Sequence, residues 1–331
     1  MTNVIYLEKR PVGIPKLTDF KFGTETIPEL QTGQILLKTK YVSVDPYLRG
    51  RMNDVKSYIP PFQLGQPVAS GCIAEVISSR HPDYEKGDFV SGILDWKEVQ
   101  ISKGQDLTKV SPKKAHLSAY LGVLGMTGLT AYLGLTQIGK PKKGETLFVS
   151  GAAGAVGSIV GQIGKIMGLK VVGVAGTDEK VRLLTTKFGF DAAFNYNTEG
   201  NKIETLAKYC PEGIDVYFDN VGGEISEAVL FHINKRARMV MCGAISMYNE
   251  KELPKSIAVQ PFLVRKSALM QGFIIFDFEA QNPEALQQLT QWLDQGLLVH
   301  SETVRNGFDA IPQAFIDLFS GKNIGKMVVA I

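Results

Sequence analysis

The sequence predicts an α/β chain in two parts, a small antiparallel β-barrel-like domain followed by a doubly wound parallel sheet. Three observations carry this. Up to about Leu124, short stretches rich in β-branched residues are separated by Pro and Gly turns. Beyond it, strongly apolar strands alternate with helical patterns, as in a parallel sheet covered on both faces. At the head of this second part, Glu145 to Gly157 reads ETLFVSGAAGAVG, and the amphipathic SIVGQIGKIMG follows at once.

In the first part, Ile35 to Val44, Gly71 to Ser78 and Asp88 to Ile93 read as strands, with Lys86-Gly87-Asp88 as a turn. The polar and aromatic segment Asp45 to Met52 (DPYLRGRM) interrupts them. It either lines a cleft or forms a surface turn around a buried Tyr47. Near Gly122 the texture changes to small and helix-compatible residues, which places the boundary at Leu124. The expected spans are therefore 1–124, 125–296 and a segment 297–331 that returns to the first domain.

In the second part, strands are expected at Lys170 to Ala175, Ala193 to Asn195, Ile214 to Asp219, Ala237 to Cys242 and Ala268 to Ile275. Helices are expected near Asp178 to Phe188, Lys202 to Tyr209, Gly223 to Ile233 and Pro283 to Leu293. The tail offers a turn at Asn306-Gly307, a helix from Ile311 to Phe319 and a strand from Lys326 to Ile331. There is no internal repeat and no low-complexity linker.

Bulk properties narrow the function. At 331 residues the chain has room for about two domains, and 44% apolar with 21% charged residues is an ordinary globular balance. A net charge of +3 with scattered Lys and Arg points to neither nucleic acid nor an anionic membrane surface. No apolar run approaches the roughly 18 residues of a membrane span, and the first residues lack a signal-peptide pattern. Cys72, Cys210 and Cys242 are odd in number and far apart, which favours small buried residues in a reducing, cytoplasmic compartment over a disulfide framework.

The strand, tight turn and helix at Glu145 to Gly157 suit a pyrophosphate, because a helix N-terminus offers unpaired N–H groups and a positive dipole end. The G-x-G-x-x-G slots are filled by Ala152, Gly154 and Gly157, with Ala153, Ala155 and Val156 between them. About 20 residues on, where a NAD site carries an acid for the ribose hydroxyls, the chain has Gly176-Thr177. Thr177 offers a hydrogen bond, Gly176 close approach, and Lys180 a positive charge or simply a solvated helix residue. This favours NADPH over NADH.

Four histidines, His81, His116, His232 and His300, make no ligand-spaced set, and Leu64-Gly65-Gln66-Pro67 stands where a zinc alcohol dehydrogenase has Gly-His-Glu. No metal is expected. Hydride transfer then needs a conjugated acceptor: an enal, an enone or a quinone. Charge develops on its carbonyl oxygen, where a preorganised donor matters most. Tyr47 and Tyr248 are the candidate donors by motif, and either is equally readable as a packed Tyr with a satisfied hydroxyl.

Taken together, the motifs resemble the zinc-independent medium-chain dehydrogenase/reductases, within them the leukotriene-dehydrogenase and prostaglandin-reductase group, nearest the bacterial NADPH-dependent curcumin and alkenal reductases. The resemblance runs through Asp45 to Met52, Leu124 to Tyr132, Ala152 to Gly157, Val172 to Lys180, Asp219 to Gly223, Cys242 to Ser246, Gln271 to Phe273 and Gly321 to Lys326. It implies a GroES-like barrel plus a Rossmann domain, a homodimer, NADPH as cofactor and a small α,β-unsaturated carbonyl as substrate. It implies that Lys180 and Tyr196 flank the ribose bearing the 2′-phosphate, and that Asn220 and Asn323 bind other parts of NADPH. The backbone of Phe273, Ile274 and Ile275 would meet the nicotinamide. Thr130, Ala153 to Gly157, Cys242, Gly243 and Gly325 complete the implied cofactor set, and Tyr47 and Tyr248 would face the substrate. Thr127 stands where the family usually has Pro, and Phe276 where the mammalian eicosanoid enzymes have Tyr; the second departure argues against assuming a prostaglandin substrate. The resulting reading is NADPH-dependent C=C reduction. A quinone reductase and a non-catalytic NADPH-binding protein with a structural or sensing role are the alternatives.

Overall fold

A computed structural model describes residues 1–252 and 254–331. The chain divides into two compact units. The first comprises Met1–Leu121, Glu302–Asn323 and Met327–Ile331, and the second Gly122–Ser301 with Ile324–Lys326. The chain thus leaves the first unit after Leu121, three residues short of Leu124, and re-enters it at Glu302.

The first unit begins with an antiparallel ribbon of β1 (Thr2–Leu7) and β2 (Phe20–Glu25). β3 (Ile35–Ser43) then runs to the one-turn α1 (Leu48–Arg51), followed by β4 (Ala69–Ser79), β5 (Phe89–Asp95), β6 (Val99–Ser102) and β7 (Thr108–Val110). β3, β4, β5 and β7 pair in that order, antiparallel throughout, while β6 adds to β3. Alternation puts Ile35 and Leu37 of β3 into a core with Ile5, Leu7, Phe20 and Trp96, and a register shift between Thr39 and Tyr41 brings Val42 into the same core. The Asp45 to Met52 segment is an anchored corner. Leu48 and Met52 are fully buried, and the buried Arg49 guanidinium donates to the carbonyls of Pro11 and Gly13 and to Asn53.

The second unit opens with α2 (Met126–Leu133), which runs into a π-helical turn over Gly134–Gly139. Then follow β8 (Thr146–Val149), α3 (Gly157–Ile166), β9 (Lys170–Ala175), α4 (Asp178–Thr186), β10 (Ala192–Asn195), α5 (Lys202–Tyr209) and β11 (Ile214–Asp219). The unit continues through α6 (Gly223–Leu230), β12 (Ile233–Met241), α7 (Gln260–Lys266), β13 (Leu269–Gly272) and α8 (Asn282–Asp294). The strands form one parallel sheet in the order β10-β9-β8-β11-β12-β13. The order reverses between β8 and β11, so a crevice opens at their C-terminal ends. The sheet is apolar on both faces: on one, Phe148 stacks on Phe194 and Tyr217, with ring centroids 6.0 and 5.6 Å apart, and on the other Leu147, Val149, Val216 and Phe218 are fully buried.

The strand expected over Ala268 to Ile275 is shorter than its apolar run. It ends at Gly272, because the Phe273 ring turns toward Phe218 and Phe278 and a 3-10 segment starts at Ile275, where Asp277 accepts the Ile274 N–H. The periodicity also passes over α7 and over α2 with its π turn. Among the described residues no helix is long and apolar enough to cross a membrane.

β14 (Glu302–Asn306), α9 (Ile311–Leu318) and β15 (Lys326–Ala330) complete the chain. β15 carries its pairing to β3 through Val328 and Val329, and Phe315 of α9 closes the first unit's core edge-on against Phe20.

Candidate cofactor site

The glycine turn sits at the end of β8, beside the crevice. Gly151 has φ +58° and starts the reversal. A Cβ on Gly157 would lie 2.4 Å from the Gly151 carbonyl oxygen and 2.8 Å from the Ala152 Cα, both backbone atoms, so only glycine fits at the start of α3. Ala152 occupies the first motif slot without strain. It is fully buried, its N–H donates to the Val174 carbonyl, and its methyl lies against Gly173 of β9, which has no side chain to resist it. The turn is closed from far along the chain: Gly325 donates to the Ala153 carbonyl at 2.8 Å and bridges Gly154. Gly325 has φ +66°, and a Cβ there would lie 1.9 Å from the Ser301 carbonyl oxygen.

At the end of β9, Tyr196 lies over Gly176: its hydroxyl oxygen is 2.6 Å from where a Gly176 Cβ would stand. Thr177 caps α4 by accepting the Lys180 N–H. The nearest acid, Asp178, is bound by the Asn195 amide at 2.7 Å. Lys180 is half-buried, and burial holds its pKa below the ordinary lysine value while Glu179 acts in the opposite direction. This corner therefore presents a phenol, a hydroxyl and a partly desolvated ammonium.

Two further loops, after β11 and after β12, meet at the crevice. Asn220 donates through its side chain to the Ser150 carbonyl at 2.8 Å, and the N–H groups of Cys242 and Gly243 both donate to the Asp219 carbonyl. Burial pushes the Cys242 thiol up to about 12. The Tyr248 oxygen accepts the Ala244 N–H at 3.2 Å and closes over Gly243.

Two family models match this chain: one described as the N-terminal domain of oxidoreductase over residues 3–110, and one described as zinc-binding dehydrogenase over residues 155–295. A Bacillus subtilis relative, YfmJ, is 50% identical across 99% of this chain and 97% of its own. The chain belongs to the medium-chain dehydrogenase/reductase family. The NADPH-dependent curcumin reductase of Escherichia coli is 43% identical across 98% of this chain and 95% of its own. The crystal structure of CurA from Vibrio vulnificus in complex with NADPH superposes with a TM-score of 0.95 at 42% identity, covering 99% of this chain and 98% of that one.

Although the second family model's description names zinc, no group of three or more His, Cys, Asp or Glu among this member's described residues is gathered to hold a metal. Of the expected cofactor residues, Ala153 to Gly157, Gly176, Thr177, Lys180, Tyr196, Asn220, Cys242, Gly243 and Gly325 lie on the loops at the C-terminal ends of β8, β9, β10, β11 and β12, in the first turns of α3 and α4 that follow them, or on the clamp that closes the glycine turn. Phe273 follows β13, with Ile274 and Ile275 leading into the 3-10 turn. Thr130 lies within α2 and donates its hydroxyl to the Met126 carbonyl at 2.7 Å. Asn323 and Tyr47 belong to the first unit. There Tyr47 is partly buried against the core, and burial, then the charge of Asp45, raises its phenol pKa well above the usual value. Sequence reasoning passed over Ser150 and Asp219 as site residues. The one signal available was an acid ending a strand directly before Asn220.

Proposed function

We propose that this protein is an NADPH-dependent reductase that saturates the C=C bond of α,β-unsaturated aldehydes and ketones. The observation that carries the cofactor is the end of β9, where Gly176 and Thr177 take the place of an acid, Tyr196 covers the glycine, Asp178 is held by Asn195, and Lys180 supplies charge. The E. coli relative named for NADPH dependence and the NADPH-bound V. vulnificus structure support the same cofactor. The tight approach of Gly157 to the Gly151 carbonyl fits a pyrophosphate on the N-terminus of α3.

NADPH, when bound, supplies the hydride. The chain's residues do the remaining work. The glycine turn and Asn220 orient the dinucleotide, while Thr177, Lys180 and Tyr196 select the 2′-phosphate. Hydride reaching the β-carbon leaves negative charge on the substrate's carbonyl oxygen, and a fixed phenol donor lowers the energy of that charge. Tyr248, held by the Ala244 N–H, is the donor on the nicotinamide-binding unit, and Tyr47 is the second phenol. The reading includes a homodimer. β13 ends the parallel sheet as an edge strand with Leu269 46% exposed, the kind of edge that a second copy covers.

The test is consumption of NADPH with a panel of enals, enones and quinones, followed by product analysis. Saturated ketone from an enone is the expected result. Turnover of quinones alone would replace the reading with quinone reduction. Tight NADPH binding without turnover on any acceptor would leave a binding protein.

A further inference from the structure

We infer that Asp219 is a positioning residue for the cofactor, tying the ends of the two strands that flank the crevice. The inference rests on the NADPH reading above. Asp219 is fully buried at the end of β11. One carboxylate oxygen, Oδ1, accepts three hydrogen bonds: from the Ser150 hydroxyl at 2.8 Å, and from the N–H groups of Val221 and Gly222 at 2.9 Å each. Its carbonyl accepts from Cys242 at 2.9 Å and Gly243 at 3.0 Å. One residue thus holds the loops after β8, β11 and β12, all at the open ends of the sheet.

The link across the crevice is the most specific part. Ser150 stands at the exit of β8, just before the glycine turn, and is fully buried. Its hydroxyl donates to Asp219 and accepts the Asn220 N–H at 3.0 Å, while the Asn220 amide returns to the Ser150 carbonyl at 2.8 Å. The Ser150 N–H in turn donates to the Phe218 carbonyl at 3.1 Å. These bonds lock the glycine turn to Asn220 at the point where the strand order reverses, which is where a dinucleotide lies in such a sheet. The second carboxylate oxygen, Oδ2, and the buried Tyr217 hydroxyl are both outside hydrogen-bond geometry among the described residues, although burial, and then the charge of the carboxylate, raises the pKa of that hydroxyl. A carboxylate kept in an apolar sheet with one oxygen unsatisfied opposes stability, and its return is the order it imposes on these loops.

Three variants test this by steady-state kinetics and by NADPH fluorescence titration. Ser150→Ala removes both bonds of the hydroxyl across the crevice, the one to Asp219 and the one from the Asn220 N–H, and leaves the carboxylate on Val221 and Gly222. Its KM and Kd for NADPH should rise about three- to thirtyfold, as for the loss of these two buried hydrogen bonds, with kcat within about twofold of the parent. Asp219→Ala should raise both by about ten- to a hundredfold, whereas Asp219→Asn, which keeps an acceptor at Oδ1, should stay within about threefold. An unchanged KM and Kd in Ser150→Ala would overturn the inference even if Asp219→Ala failed to fold. So would an Asp219→Asn variant as impaired as Asp219→Ala. If the unsubstituted protein failed to bind NADPH, the cofactor reading would fall instead.

Discussion

The hydroxyl oxygen of Tyr196 stands 2.6 Å from the place a Cβ on Gly176 would take, so the two residues are compatible only while position 176 has no side chain. In Gly176→Ala the tyrosine must swing aside. Because only the tip of a side chain moves, thermal stability should hold while NADPH affinity falls several-fold. Gly176→Asp should go further, repelling the 2′-phosphate and improving NADH. Fluorescence titration with both cofactors reads the change, and an unaltered NADPH affinity in either variant would remove this corner from the site.

Lys180→Ala should weaken NADPH by about ten- to a hundredfold, from a charge-assisted bond worth about 1.5–3 kcal/mol, and leave NADH nearly unchanged. The pH dependence follows from burial, which lowers the Lys180 pKa. The ammonium is charged at neutral pH and loses its proton as pH rises through that lowered value. The preference for NADPH should therefore decline at a lower alkaline pH than a free lysine's pKa of about 10.4 would give. Equal weakening of both cofactors in the variant would contradict the role.

Tyr248→Phe should reduce kcat on an enone by about ten- to a thousandfold, in the range of other oxyanion donors, with NADPH affinity retained. Phenylalanine keeps the ring over Gly243 but gives up the bond from Ala244 and the donor proton. A parent-like kcat would exclude Tyr248 from the mechanism.

Thr127, in the first turn of α2, is 5% exposed and its hydroxyl has no hydrogen-bond partner among the described residues. Thr127→Val keeps the shape and removes the unsatisfied group, so urea unfolding should show stability unchanged or raised by about 1 kcal/mol. A loss larger than about 1 kcal/mol would mean that the hydroxyl is engaged.

Burial pushes the thiols of Cys72, Cys210 and Cys242 up to about 12. At pH 8 each is then thiolate to only about one part in ten thousand. Thiol titration of the native protein should be slow. Cys242, half-buried beside Gly243, should react first and be protected by NADPH, while Cys72 and Cys210 should wait for denaturant. Rapid labelling of all three would show that the burial is wrong.

Local signals made much of the second unit readable. The eight-residue α5 begins at Lys202 and ends at Tyr209, as the pattern predicts, because the Asn201 side chain caps it and Cys210 ends it. β9 is likewise marked by its run of valines. What was not legible depends on contacts between distant residues. The end of β13 is set by where the Phe273 ring finds Phe218 and Phe278, and apolarity alone does not stop at Gly272. The same ring meets Gly134 at the start of the π turn, so that turn has no local signature. At the site, the vacant acid position after β9 was visible as Gly176-Thr177. The acceptor role of Asp219 was not, since Asp-Asn-Val-Gly-Gly reads equally well as a strand end and a loop.

The bond from Gly325 to the Ala153 carbonyl closes the glycine turn with a residue that the ribosome adds long after the turn itself. During synthesis every strand of the parallel sheet leaves the ribosome before the residue that closes the glycine turn has been made. A nascent chain halted at residue 323 therefore carries strand, turn and helix with the Ala153 carbonyl still unclamped. Retention on an immobilised nucleotide would then separate chains that include Gly325 from shorter ones that have already built the sheet.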